Sequence, residues 1–222
     1  MKEYKIKIMT AALILGLMLP LSAQSQDSSI GNWLIYIGNK QLSQNWNLHN
    51  EVQYRNYNLI GDLEQLLVRT GLGYTFKDGK SNLLLGYGYV LSENYLENNT
   101  GKVSVNEHRI FQQFSSKQKI GLVGLNHRYR FEQRFVESDY KMRFRYFVGL
   151  NIPIIKSENN TLYFSAYNEV FLNTASAVFD RNRVYGGLGY SINNIRIEAG
   201  YMTQFFENNS RDQFNIITFV NF

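Results

Sequence analysis

From Trp33 to the last residue, apolar and polar side chains alternate position by position, in run after run. In RYRFEQRF (128–135), Arg128, Arg130, Glu132 and Arg134 fall at every second position, with Tyr129, Phe131, Gln133 and Phe135 between them. Successive side chains of a strand point to opposite faces, so this period builds two-faced strands and is incompatible with helix. The same pattern sets Val52 and Tyr54 against Glu51, Gln53 and Arg55, and Met142, Phe144 and Tyr146 against Arg143 and Arg145. It sets Ile195, Ile197 and Tyr201 against Arg196 and Glu198. About eleven such runs follow one another, with no linker and no sequence repeat. The chain reads as one all-β domain.

The start of the chain has another character. Lys2, Lys5 and Lys7 precede an apolar run from Ile8 to Leu21, followed by Ser22, Ala23, Gln24 and Ser25. A basic start, a short apolar stretch and small residues are the marks of a secretory signal peptide, expected over 1–23 with cleavage as late as residue 25. The domain is then 24–222. The 222 residues include no cysteine, so neither a disulfide framework nor a lipid-carrying cysteine supports the fold. With 16 Tyr, 15 Phe and only 2 Pro, the composition suits strands.

Alternation alone also fits a soluble sandwich. Two features favour a membrane barrel. The polar face is rich in Arg and Glu with little Lys, a composition suited to paired charges in a confined space, because guanidinium offers carboxylate a rigid donor fork. The apolar face is broad and aromatic in nearly every run, as the lipid face of a barrel is. In lipid an open sheet edge leaves backbone groups unpaired, so the sheet must close. The expected architecture is a single antiparallel up-and-down transmembrane barrel. Bacterial single-chain barrels have even strand numbers, so eleven runs point to twelve strands, with ten as the alternative. Either residues 24–32 add a short strand or the Trp33 run lies off the wall. KDGK (77–80) and SINN (191–194) read as tight turns, and 92–106, 173–182 and 206–212 as longer polar connections. Phe222 closes an alternating strand and reads as a sorting signal, through which the barrel-assembly machinery would take hold of the C-terminal strand.

Five stretches carry a resemblance: EHRIFQQ (107–113), HRYRFEQRF (127–135), RFRY (143–146), YNEVFLN (167–173) and FDRNRVYGGLGY (179–190). Together they resemble a family of outer-membrane barrels known as domain of unknown function 2490. The resemblance runs from about Trp33 to Phe222. It implies an outer-membrane barrel of a Gram-negative bacterium and brings no activity, cofactor or catalytic residue with it.

The site candidates therefore come from the residues. The polar face predicts lumen-facing charges at Glu51, Arg55, Arg69, Glu107, Arg109, Arg128, Arg130, Glu132, Arg134, Arg143, Arg145, Glu169, Arg183, Arg196 and Glu198. Arg outnumbers Glu about two to one in this set. The structural reading is an interior filled by ion pairs, which burial tolerates only when the charges pair. The sharper reading is a narrow porin-like path for a small anionic solute, since Arg rings favour anions. Outer-membrane lipid is the expected surrounding. Nucleic acid is excluded as a partner, because the Arg residues are spread through strands instead of clustered on one patch. The runner-up readings are an outer-membrane enzyme acting on lipid or envelope polymer, and a secreted soluble ligand-binding barrel. For catalysis only His49, inward beside Glu51, offers a base. His108 and His127 share faces with apolar residues, no inward Ser completes a set, and no catalytic residue is assigned. No cofactor is expected. Scattered histidines and carboxylates predict no metal site. Glu97, Asp139 and Asp180 read as solvated loop acids. The Asn-x-Ser/Thr triplets at Asn98, Asn159 and Asn208 read as turn tips.

Overall fold

The computed structural model describes residues 30–97, 101–175 and 177–222. The signal-peptide segment and Asn98 lie outside the described residues. Eleven strands follow in chain order: β1 (Gly31–Gln41), β2 (Trp46–Asn56), β3 (Leu63–Thr75), β4 (Ser81–Tyr95), β5 (Lys102–Ile120), β6 (Val123–Val136), β7 (Asp139–Lys156), β8 (Asn160–Asn173), β9 (Phe179–Ile192), β10 (Ile195–Phe205) and β11 (Ser210–Asn221). The described residues contain no helix. Each strand pairs with the next antiparallel, and β1 closes on β11, so the sheet has no free edge.

Among the described residues the wall closes with eleven strands, neither twelve nor ten, and residues 24–29 of the segment considered for an added strand lie outside the described residues. In an up-and-down wall with an odd number of strands, the first and last run in the same direction, and the closing pair must be parallel. That pair extends from Gly31↔Gln213 to Asn39↔Asn221. The Trp33 run is therefore part of the wall, as β1. Phe222 extends the seam with its backbone: its N–H donates to the Asn39 carbonyl at 2.9 Å, and its carbonyl accepts from the Gln41 N–H at 3.2 Å. Its side chain is exposed.

The expected loops are also shorter. Most of 92–106 is a hairpin, paired from Ser92↔Val105 to Tyr95↔Lys102, with only 96–101 connecting. The segments 173–182 and 206–212 reduce to connections at 174–178 and 206–209. Five connections (42–45, 76–80, 121–122, 157–159, 193–194) share one rim with Phe222, and the other five share the rim where β1 begins. The expected contrast between short and long connections is therefore slight. Both tight turns form. In the first, Asp78 Oδ1 accepts the Lys80 and Ser81 N–H groups at 2.9 Å each, and Gly79 takes φ +64°. In the second, Asn193 takes φ +49°, a conformation asparagine tolerates better than most residues.

Burial runs opposite to that of a water-soluble domain. Leu34, Val52, Val68, Leu85, Tyr129, Phe144, Leu188 and Ile197 leave 39–60% of their surface exposed, while Arg69, Glu132 and Glu169 leave 1–4%. Apolar residues also enter the buried face. Trp33, with Ile35 and Ile37 beside it, packs against Tyr185, Met202, Ile217 and Phe219. The buried face of the β1–β11 seam is thus apolar over Trp33, Ile35, Ile37, Ile217 and Phe219, while Gln213 and Asn215 on the same face of β11 are buried and polar.

Gly200 lets an aromatic ring lie flat on the sheet. A Cβ there would stand 2.5 Å from the Gly186 carbonyl oxygen and 2.6 Å from the Tyr185 ring. Across the wall, Phe111 covers Gly86 in the same way. Rings over glycines restore the packing that missing side chains give up.

Candidate functional site: the buried charge network

Every charged position predicted for the polar face lies on the buried face of the wall. Glu51, Arg69, Glu107, Arg109, Arg130, Glu132, Arg143, Arg145, Glu169, Arg183 and Glu198 are buried, and Arg55, Arg128, Arg134 and Arg196 are half-buried. Residues at i and i+2 share a face, and residues opposite across a ladder lie side by side, so the strands alone bring most of these groups together.

Two carboxylates organise the centre. Glu132 accepts from Arg143 Nη2 and from Arg145 Nη1, each at 2.7 Å, with Arg130 Nη1 at 3.7 Å. Glu169 accepts from Arg145 Nη2 and Arg128 Nη2, each at 2.8 Å, with Arg183 Nη1 at 4.0 Å. Arg145 therefore links the two hubs. Glu51 and Arg69, opposite each other on β2 and β3, pair at 2.7 Å. Glu107 accepts from Arg109 Nε at 2.6 Å and from Arg134 Nη2 at 3.0 Å. Arg109 and Arg134 are themselves register partners, so Glu107 separates two like charges. Glu198 accepts from the Tyr163 hydroxyl at 2.8 Å.

Aromatic rings lie between the cations. Phe171 has Arg145, Arg183 and Arg143 at 4.3, 4.6 and 5.2 Å from its ring centre. Trp33 has Arg55 at 3.8 Å and Arg183 at 4.8 Å. Such contacts strengthen as water is removed. Sequence reasoning missed these rings. Phe171 has the same strand parity as Glu169 and Phe111 the same as Arg109, which is the signal that places them among the charges.

Asp180 corrects the reading of a solvated loop acid. β9 begins at Phe179, so Asp180 lies within the strand, where it accepts from Arg143 Nη1 at 2.8 Å and from Arg181 Nη2 at 3.2 Å. Glu97 is exposed in a turn, and the exposed Asp139 pairs with Lys141 at 3.4 Å.

Two cations are less committed. Arg196 stacks on Phe219 at 4.3 Å and has no carboxylate within 4.0 Å among the described residues. Arg128 has a buried Nε without a hydrogen-bond partner, as do the side-chain oxygens of Asn126 and Asn151. These groups border a cavity of 190 Å³, enclosed by Trp33, Ile35 and Ile217 on one side and Arg128, Phe147 and Asn151 on the other. A larger cavity of 660 Å³ lies toward the rim bearing Phe222 and is bordered by Lys80, Lys117 and His49.

The histidines fall as read. His49 is half-buried, with Nδ1 3.1 Å from Asn39 Oδ1 and Nε2 3.4 Å from Glu51 Oε2. His108 is exposed and meets the Tyr87 hydroxyl at 2.5 Å; half-buried His127 meets that of Tyr146 at 3.0 Å. Among the described residues no group of three or more His, Cys, Asp or Glu is placed to hold a metal ion.

The family described as "Protein of unknown function (DUF2490)" matches residues 30–215, which span the wall from β1 into β11. No curated protein and no solved structure matches the chain.

Proposed function

We propose a role for this chain, which belongs to the DUF2490 family of proteins of unknown function: it is an outer-membrane β-barrel with an Arg/Glu-filled lumen, serving as a structural wall. The observation that carries this reading is the inverted polarity. An exterior of exposed Leu, Val, Ile, Phe and Tyr encircles a face of buried Arg and Glu. In water, contiguous apolar surface on that scale drives association. In lipid the same surface is solvated, and closure leaves no unpaired edge. The strands have 11 to 19 residues, and about 9–11 tilted residues suffice to cross the apolar layer. In this reading residues 1–23 direct export, the β11 end presents Phe222 to the assembly machinery, and no reaction is assigned to the barrel.

A second reading is a narrow porin-like path for small anions. It is favoured by the excess of Arg over Glu on the buried face and by the half-committed Arg128 and Arg196 beside the cavities.

The test is the state of the mature chain, 24–222. It is expected in the detergent-extracted membrane fraction and, once folded, to change its gel mobility on heating. A mature protein that stays soluble and monomeric without detergent overturns the membrane reading and favours a secreted ligand-binding barrel.

A further inference from the structure

We propose that the barrel holds a binding site for a small amphipathic carboxylate in the 190 Å³ cavity between the apolar seam and the charge network. The inference rests on the closed barrel and its cavity, and it holds whether lipid or water surrounds the wall.

The two sides of this cavity differ in chemistry. Trp33, Ile35 and Ile37 from β1 and Ile217 and Phe219 from β11 form an apolar wall. Arg196 stands at its border on β10, and Arg128 faces it from β6. A ligand with one negative end and one apolar end satisfies both sides.

The charge of the ligand follows from which groups are already occupied. Two of the three carboxylates on the cavity are paired, Glu51 with Arg69 and Glu169 with Arg145 and Arg128, while Glu198 keeps its charge and accepts from the Tyr163 hydroxyl. Six Arg border the same cavity, twice the number of carboxylates, so the surplus charge is positive. Arg196 touches only the Phe219 ring among its described contacts, and Arg128 Nε is buried without an acceptor. The unpartnered side-chain oxygens of Asn126 and Asn151 are acceptors and call for a donor, so the contacts to an anion come from Arg128 and Arg196. Buried donors without acceptors carry a desolvation cost that a bound anion removes.

Size selects within the anions. An engineered cavity of about 150 Å³ takes up benzene, so 190 Å³ admits a single ring or a short chain with its carboxylate. A fully hydrated multivalent anion gains nothing from the Trp33 wall. Entry is available, because Ile37, Asn126, Arg128, Arg196 and Phe219 border both this cavity and the larger one at the Phe222 rim.

The experiment is calorimetric titration of the refolded mature barrel with hexanoate and benzoate, with hexanamide and inorganic phosphate as comparisons. Trp33 emission is followed in parallel in the W46F variant, since Trp46, the other of the 2 tryptophans, is exposed away from the cavity. The expected result is saturable carboxylate binding with a change in Trp33 emission, stronger than that of hexanamide or phosphate. R196Q should weaken it about tenfold, the loss of one charge-assisted contact, while K141Q on the exposed far rim leaves it unchanged. Absence of saturable carboxylate binding, equal binding of hexanamide or of phosphate, or unchanged affinity in a folded R196Q overturns the proposal. The carboxylate–amide comparison uses the wild-type barrel, so it decides the matter even where R196Q fails to refold. Failure of this binding leaves the detergent-extraction result untouched, so the two readings fail separately.

Discussion

Glu132 is 1% exposed and touches guanidinium groups from two strands, so its charge is what holds Arg130, Arg143 and Arg145 together. Removing one partner of a buried set leaves the others uncompensated, and that loss exceeds the loss of an exposed pair several-fold. E132Q should therefore destabilise the barrel by roughly 3–5 kcal/mol in denaturant unfolding, against about 0.5 kcal/mol or less for E93Q, whose carboxylate meets only Ser104 at the surface. Equal midpoints for the two variants would show that the buried network is dispensable. At the rim, Asp62 behaves differently. Lys102 hydrogen-bonds to it, and the Tyr95 hydroxyl donates to it at 2.8 Å, so its carboxyl is held below the usual range. The sign follows from that direction: the stabilisation is full above the unfolded value of roughly 3.9 and disappears as pH falls through the lower folded value. The Tyr57 N–H, which donates to the Asp62 carbonyl at 2.9 Å, should stay protected from hydrogen exchange until the pH falls below that value. D62N should abolish this acid-dependent opening, and an identical pH midpoint in D62N would remove Asp62 as its cause.

At the scale of elements, packing over glycine decides how tightly β9 and β10 meet. A methyl at Gly200 meets both the Gly186 carbonyl and the Tyr185 ring and has to displace them, so G200A should cost about 1–3 kcal/mol in the same unfolding assay. Gly101, where the nearest side chain stands 3.7 Å from an added Cβ, provides the tolerant comparison, and equal effects at both would refute the close approach. Period two made most of the wall legible in the sequence, since it separates Arg128, Arg130, Glu132 and Arg134 from Tyr129 and Phe135 without reference to any neighbour. It does not say which face turns inward. β1 shows this: Trp33, Ile35 and Ile37 alternate as regularly as any exposed apolar set, yet they form the buried lining of the seam. The evenness of known barrels misdirected the strand count because a parallel closing pair leaves no local mark in either β1 or β11. Partners were less legible than faces. That Arg145 joins Glu132 to Glu169 depends on the registers of β6 against β7 and β7 against β8, which are long-range facts. Asp180 was misread because the start of β9 lies among turn-like residues.

For the whole molecule, the balance of charge sets what the interior admits. Ten Arg and five Glu lie on the buried face among the positions read from the sequence, so the balance of charge there is positive. A confined positive field raises the local concentration of anions and repels cations. The ion-pair hubs cross between β6, β7 and β8, and their Arg128 and Arg145 line the smaller cavity that adjoins the larger one. Current through barrels inserted in planar bilayers should accordingly be small, and under a salt gradient its reversal potential should have the sign of anion preference. The double variant R128Q/R196Q removes two cations at the junction of the cavities and should move that potential toward cations, at some cost in stability because Glu169 loses its Arg128 partner. It spares Glu132 and leaves Arg145 on Glu169. A wild-type barrel that prefers cations would eliminate the Arg-lined path. One that passes no current in either form would leave the network as the packing of a membrane wall, with the carboxylate cavity opening only toward the Phe222 rim.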